Sequence, residues 1–584
     1  MARDNWPYNF QKQHFDQLAR DWRWAPDADF EPVLRKGLEL QLEWEKDCFD
    51  PDGDGLYESY INTWPTDSVW YSGAGATEET SYAYYARLAA RDLALRAGDG
   101  QTAARYEAEL AHIRAAFHAG LWAEDEGHPG VCREQIGYKR LRKDAWLYSC
   151  FLPIDAGLLT PVEALQTLHY TEWGLQRDSL PYGGEVCWTS NWVPSLWSVR
   201  ELYPGDNYHL ALVYFQAGLP DEGWQIMKGT LRKQSYAGNV PGDLGALNGG
   251  TDFNDCSSMF CRALVEGLFG FRPDYPAGKV VIAPALPSDW PSGSIKTPDF
   301  SLWLERQATG LECRVELTRP AQMELRLPLS AARITSLLLN GKAAKYTVQP
   351  SWGQSLLTVE APLGRITQVK VVAEGIRPRA QAQQLEVKAE QQLQLVCPDS
   401  ALVEFEDPQK ILTSSRIEAG KLVAQVAPRE GHFLVLGLAQ VGQLRQWHLF
   451  KLAVTDPKTE AERKAKTNLT PSTDSTWRLV GLDGVANGDI RKLFEEEYLS
   501  PRPQTVSSRI GKEGYFPWTM RLWQPDGKAP APRLDKLPEL TESVFTPAYQ
   551  ASVPGLDLSE EFTLEMWLTP EAMGEMGGRL LDKS

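Results

Sequence analysis

The hydrophobic period changes once along this chain, at about Arg272, and that change constrains the fold more than any other feature. Before it, apolar residues recur at spacings of three and four, which lines up one side of a helix. Glu31 to Lys46 carries Val33, Leu34, Leu38, Leu40, Leu42 and Trp44 in this way. Glu79 to Ala97 carries Tyr82, Tyr85, Leu88, Ala89 and Leu93, and Gln101 to Ala119 carries Ala104, Leu110, Ile113 and Phe117. Further helices are expected at about 143–157, 161–170, 194–203, 206–218, 220–234 and 256–270. After it, Gly278-Lys-Val-Val-Ile-Ala-Pro opens a series of short strands, among them Leu311–Leu317, Gln322–Leu327, Ile334–Leu339 and Gln368–Val372. Leu339-Asn340-Gly341-Lys342 is a hairpin signal, because Asn and Gly tolerate the positive φ angles of a tight two-residue turn. The pattern predicts no parallel α/β sheet in the first part.

The chain has 584 residues. At roughly 100–200 residues per domain it holds three to five domains. The expected order is a helical domain over 1–272, a β-sandwich over 273–376 packed on it, and a small β domain over 377–455. A polar, charged linker over 456–476 and further β segments over 477–540 and 541–584 complete it. No internal repeat is evident.

Composition excludes several functions. A net charge of −17 and a pI near 5.1 repel nucleic acid and anionic membrane surfaces. No run of about 18 apolar residues occurs, so no membrane insertion is expected. The eight Cys form no CxxC pair and read as buried thiols rather than a disulfide scaffold. The eight His include no HExxH pair, and neither GxGxxG nor GxxxxGK[ST] appears, so zinc hydrolysis and nucleotide chemistry lack support. Asp50-Pro-Asp52-Gly-Asp54-Gly55 resembles the start of a calcium loop, but Ile61 stands where the twelfth-position Glu belongs. A solvated turn is the expectation, with no cofactor and calcium as the one alternative. The 21 Trp and 21 Tyr mostly fill cores, yet their flat faces and polar edges also suit sugar rings.

Three long loops, 50–78, 176–194 and 236–256, are rich in Gly, Pro, Trp and Asp. Loops of that length inside a compact domain are more often functional than decorative. Glu58 to Tyr71 contains Trp64, Asp67, Trp70 and Tyr71, and Thr77-Glu78-Glu79 follows as a helix start with carboxylates at its favourable end. Tyr182-Gly-Gly-Glu185 leads to Trp188, Asn191 and Trp192. Glu185 suits a sugar hydroxyl or an ion pair with an Arg such as Arg200, while Asp206 reads as the cap of the next helix. Pro241-Gly-Asp243 to Asp252-Phe-Asn-Asp255 precedes the last helix, which Asp255 or Ser257 could cap.

A helical domain followed by "GLFGFRPDYPAGKVVIAPALPSDW" and a sandwich resembles the six-hairpin glycosidases, a superfamily that includes α-rhamnosidases, trehalases and many bacterial families. The resemblance covers roughly residues 25–375 and implies an (α/α)6 barrel. About ten helices are counted where a complete barrel has twelve, so the first hairpin is expected to be missing at the N-terminus. Residues 541–584 resemble the opening strands of a concanavalin A-like (laminin-G type) module, and 477–540 is similar to galactose-binding-like modules. The resemblance implies hydrolysis of O-glycosyl bonds in a polysaccharide or oligosaccharide. Such hydrolysis needs two carboxyl groups, one protonating the leaving oxygen and one activating water or attacking carbon. By position in the superfamily, Asp67 is the acid and Asp252 the base, with inversion, and Asp255, Glu185 and Glu79 are the other candidates. Trp64, Trp70, Tyr71, Trp188, Asn191 and Trp192 are the expected sugar contacts. A polysaccharide lyase and a non-catalytic carbohydrate-binding surface protein are the alternatives. A polymeric substrate implies an extracellular or periplasmic protein.

Overall fold

The computed structural model describes residues 9–61, 70–134, 139–181, 183–191, 202–236 and 254–458, with the strands Arg478–Leu482 and Met520–Trp523. Up to Phe269 the described chain is mainly helical. In order come α1 (Asn9–Trp24), α2 (Glu31–Phe49), α3 (Thr77–Arg96), α4 (Gly100–Gly120), α5 (Leu147–Asp155), α6 (Pro161–Trp173), α7 (Pro204–Gln216), α8 (Pro220–Thr230) and α9 (Asn254–Arg262). The last two run on into π-helical turns at Leu231–Tyr236 and Ala263–Leu268. Local chemistry sets several starts. Proline opens α6, α7 and α8, where its missing N–H costs nothing. Thr160 and Glu163 exchange side-chain and backbone hydrogen bonds in a capping box, and the Asp99 carboxylate accepts from Thr102 N at 3.0 Å. The expected start at Thr77 is correct, but its hydroxyl donates to Gly130 O at 2.6 Å instead of capping the helix. Asp206 is not a cap: it lies within the first turn of α7, behind Tyr203.

The helices form two rows. α1 packs on α3, α3 on α5, α5 on α7 and α7 on α9, while α2 and α4 flank α3, α6 flanks α5 and α8 flanks α7. α3 and α7 are therefore buried on nearly every side, whereas α2 and α4 bury one stripe. On α2 the buried stripe is Leu34, Leu38 and Leu42, and Val33 and Leu40 face outward. Six of the eight cysteines are buried and all eight are free thiols.

Beyond Gly270 the described chain is mainly β. Nine strands join in one hydrogen-bonded sheet. Leu311–Leu317 and Gln322–Leu327, expected as two strands, are one strand, Gly310–Leu329. Its ladder with Gln354–Glu374 shifts register between Glu316 and Met323. Pro320, which has no N–H to give, lies in that break. On one side of the break the strand pairs with Phe300–Gln307, and on the other it pairs in parallel with Lys279–Ile282. Residues on both sides of the break share one apolar core. That core is continuous with α5 to α9, and the rings of Phe271 and Phe300 stack at 3.8 Å across the join. The Asn340-Gly341 hairpin forms as expected, with φ of 50° and 79° and Leu339 opposite Lys342.

A four-stranded sheet (Gln383–Lys388, Leu444–Thr455, Gly431–Val441, Ala401–Glu406) and a three-stranded sheet (Gln392–Leu395, Lys421–Val426, Leu412–Glu418) enclose a separate core. This unit lies on α6. The rings of Trp173 and His432 stack at 4.6 Å, and Lys451 pairs with Glu172. Burial pushes the Glu172 carboxyl up, but His169, Lys451 and Arg177 outweigh it and hold it at about 2. Burial pushes His169 below the usual imidazole value, against the pull of Glu172. Both groups are depressed in the folded state. His169 contributes stability that is complete above its usual value of 6.5 and declines as pH falls below it. Glu172 contributes stability present above its usual 4.5 and lost toward about 2. The thermal midpoint is therefore expected to fall on acidification from pH 7, with a second fall below pH 4.5 that Lys451→Met weakens. A midpoint that rises in acid would refute this account.

Residues 458–584 form a separate unit, of which the two strands Arg478–Leu482 and Met520–Trp523 are described and pair antiparallel. The segments similar to galactose-binding-like and concanavalin A-like modules otherwise lie outside the described residues.

Candidate active site

A belt of hydrogen bonds and one close contact gathers the N-termini of α3, α5, α7 and α9 at one end of the helical part. Thr77 N, opening α3, donates to Val131 O at 3.0 Å, and Val131 N donates to Arg142 O at 2.7 Å on the approach to α5. Leu147 N, opening α5, donates to Thr189 O at 2.9 Å. Asn207, in the first turn of α7, accepts from Cys187 N at 2.8 Å and donates to Cys187 O at 2.9 Å and Tyr203 O at 3.0 Å. A side chain on Gly205 would begin 3.4 Å from Cys256 Sγ, so the first turns of α7 and α9 touch. Ser59–Ile61, Trp70–Ala76 and Cys132–Glu134 form a three-stranded sheet at the entry to α3.

This end concentrates carboxylates. Glu58, Glu78, Glu79 and Asp206 are all at least 95 % buried there. Helix N-termini carry partial positive charge, which favours carboxylates in their first turns. Glu79 also pairs with Lys12 at 2.9 Å, both inaccessible to water, and the Lys12 ammonium lies 5.1 Å from the centre of the Tyr57 ring. Burial and the neighbouring Glu78 push the Cys132 thiol up to about 12. Burial pushes Cys187 to about 11 against the pull of Arg177, with Glu185 and Asp206 adding to the rise.

Asp67, Asp252, Trp64 and Trp192 lie outside the described residues. Trp70 and Tyr71 open the middle strand of the three-stranded sheet, with Trp70 opposite Ile61, and Asp255 is the second residue of α9; their side chains are outside the description. The structure brings Glu185, Trp188 and Asn191 together on one hairpin. Glu185 lies 3.4 Å from Arg177, an arginine partner of the kind expected, and Arg200 lies outside the described residues. Trp188 Nε1 donates to Asp178 at 3.1 Å, and Asn191 accepts from Gln176 N at 3.0 Å. The backbone of Glu185 abuts Gly229 of α8, so this hairpin is braced on the outer row. Glu79 lies apart from this hairpin, in the first turn of α3 against Lys12 of α1.

The carboxylate oxygens of Asp50, Asp52 and Asp54 come within 4.8 Å of one another, a donor set that would suit calcium. Asp50 accepts from Gly55 N and Asp54 from Leu56 N, which equally makes this a self-contained turn.

A second charged centre escaped sequence reasoning. Asp155, ending α5, accepts from Arg20 of α1 at 3.0 Å, from Arg262 of α9 at 3.1 Å and from Gln216 of α7 at 2.9 Å, and it lies 3.1 Å from His209 Nε2. Burial pushes its carboxyl up, but Arg20, Arg262 and His209 hold it well below the usual carboxylate range. One side chain thus ties four helices of the inner row together. The available signal was a set of isolated charges on otherwise apolar helix faces.

No known protein family and no curated protein matches the chain. Among solved structures it is similar to a Streptomyces avermitilis α-L-rhamnosidase complexed with L-rhamnose, at 14 % identity over 61 % of this chain and 32 % of that one, with a TM-score of 0.40. An α-L-rhamnosidase from Dictyoglumus thermophilum matches at 11 % identity over 58 % and 36 %, with a TM-score of 0.37. A GH63 mannosylglycerate hydrolase from Thermus thermophilus matches at 12 % identity over 43 % and 76 %, with a TM-score of 0.33. The chain spans about a third of the length of these rhamnosidases.

Proposed function

We propose that this protein hydrolyses glycosidic bonds of a polysaccharide or oligosaccharide, with inversion, at the end where the inner helix N-termini gather. The belt from Thr77 to Cys256 carries the reading, because it brings the first turns of α3, α5, α7 and α9 to one end. In this reading the helical part belongs to an (α/α)6 barrel. Asp67 is the acid and Asp252 the base. Connectivity supports both: Asp67 is three residues from Trp70 and Asp252 two from Asn254, and a residue of chain spans at most about 3.6 Å. Asp255, Glu185 and Glu79 are the next candidates, and the tryptophans of the same loops wall the sugar. A polymeric substrate places the reaction outside the cytoplasm.

The test is incubation of the purified protein with a panel of plant and bacterial polysaccharides. Release of reducing ends with the anomeric configuration inverted, followed by proton NMR, is expected. An unsaturated product absorbing near the ultraviolet limit would replace hydrolysis by β-elimination. Tight binding with no bond cleaved would leave a carbohydrate-binding protein.

A further inference from the structure

The outward face of the sandwich carries one aromatic ring among polar groups. Strands Ser292–Lys296, Phe300–Gln307, Gly310–Leu329 and Gln354–Glu374 lie side by side, with Leu302, Leu304, Cys313 and Val315 pointing into the core. Alternation sends Trp303 to the other side, where it is 36 % exposed. Its cross-strand neighbours are Ser294 and Arg314, and Gln368 lies beyond Arg314. Ser301 shares its strand two residues away. Small serines on two sides leave the indole face open to a ligand. Among the described residues Trp303, Arg314 and Glu316 make no side-chain hydrogen bond, ion pair or ring contact.

We propose that this face is a sugar-binding platform, on which Trp303 stacks against a pyranose ring of a neutral glycan while Arg314, Glu316 and Gln368 bond its hydroxyls. It deepens the function proposed above and rests on that carbohydrate reading. The ligand class follows from the surroundings. A protein anchor would be rimmed by further apolar side chains, whereas this ring's immediate neighbours are serines and hydrogen-bonding groups, the exposed Ile366 lying two strands away opposite Glu316. The face holds three carboxylates (Glu305, Glu312, Glu316) and three cations (Lys296, Arg314, Lys370), so it selects neither an anionic nor a cationic polymer. An indole offers a flat apolar surface with a polar edge, which matches a sugar ring. The platform lies on the β part, separate from the helix N-termini, so it holds substrate without taking part in chemistry.

Affinity electrophoresis of the full chain in gels containing galactomannan, arabinoxylan or dextran tests this. Retardation by at least one polymer is expected, weakened about tenfold or more by Trp303→Ala and less by Arg314→Ala. The thermal midpoint and turnover of a short soluble oligosaccharide should be unchanged in Trp303→Ala. Undiminished retardation of Trp303→Ala overturns the platform. So does a change in its sedimentation as a self-associating species without loss of retardation, which would make the face a protein contact. A wild-type chain that cleaves oligosaccharide but is retarded by none of the three polymers refutes the platform and leaves the hydrolase standing. Retardation that depends on Trp303 with no bond cleaved has the opposite meaning.

Discussion

Asp155→Ala is expected to destabilise the helical part by about 3–5 kcal/mol. The change removes a buried carboxylate from between the half-buried Arg20 and Arg262, and it strips His209 and Gln216 of their partner. Removing one member of a buried ionic set costs more than the set contributes, because the remaining charges keep their desolvation penalty and lose the compensation. Arg20 retains Asp16 and Arg262 retains Glu266, which holds the loss below outright unfolding. Asp155→Asn preserves volume and one acceptor, so it should fall between alanine and wild type. Urea unfolding followed by tryptophan fluorescence reads the difference. A loss under about 1 kcal/mol for alanine would mean that the four helices are held by apolar packing alone.

Asp252→Asn is expected to lower turnover about 10²–10⁴-fold or more while sparing substrate binding, since it keeps the shape of the group and removes the proposed base. Asp67→Asn should do the same to the acid step. The pair has to face across the sugar, at roughly 6.5–9.5 Å between carboxyl groups for inversion and about 5–5.5 Å for retention. Steady-state kinetics with the polysaccharide identified in the panel, alongside equilibrium binding, separates lost chemistry from lost affinity. Near-normal turnover in Asp252→Asn excludes it as the base and moves the test to Asp255 and Glu185.

The division between helical and β parts, most helix positions, the Asn340-Gly341 hairpin and the buried thiols were all readable from local pattern. Each rests on interactions within a few residues: a period, a cap, a pair of turn residues. What was missed rests on contacts distant in sequence. α1 is the exception, since Phe15, Leu18, Ala19 and Trp22 recur at helical spacing and pack on the core, while only the fold shows Lys12 reaching Glu79 and Arg20 reaching Asp155. Sequence showed two strands where there is one, because the break at Pro320 shifts the ladder's register locally while the strand itself continues. The apolar residues of α2 gave no sign that Val33 and Leu40 face outward. Local sequence determined where most of the helices lie. Only tertiary packing decided that four of their N-termini share one end, because the belt from Thr77 to Asn207 and Cys256 joins segments whose residues carry no information about one another until the chain has folded.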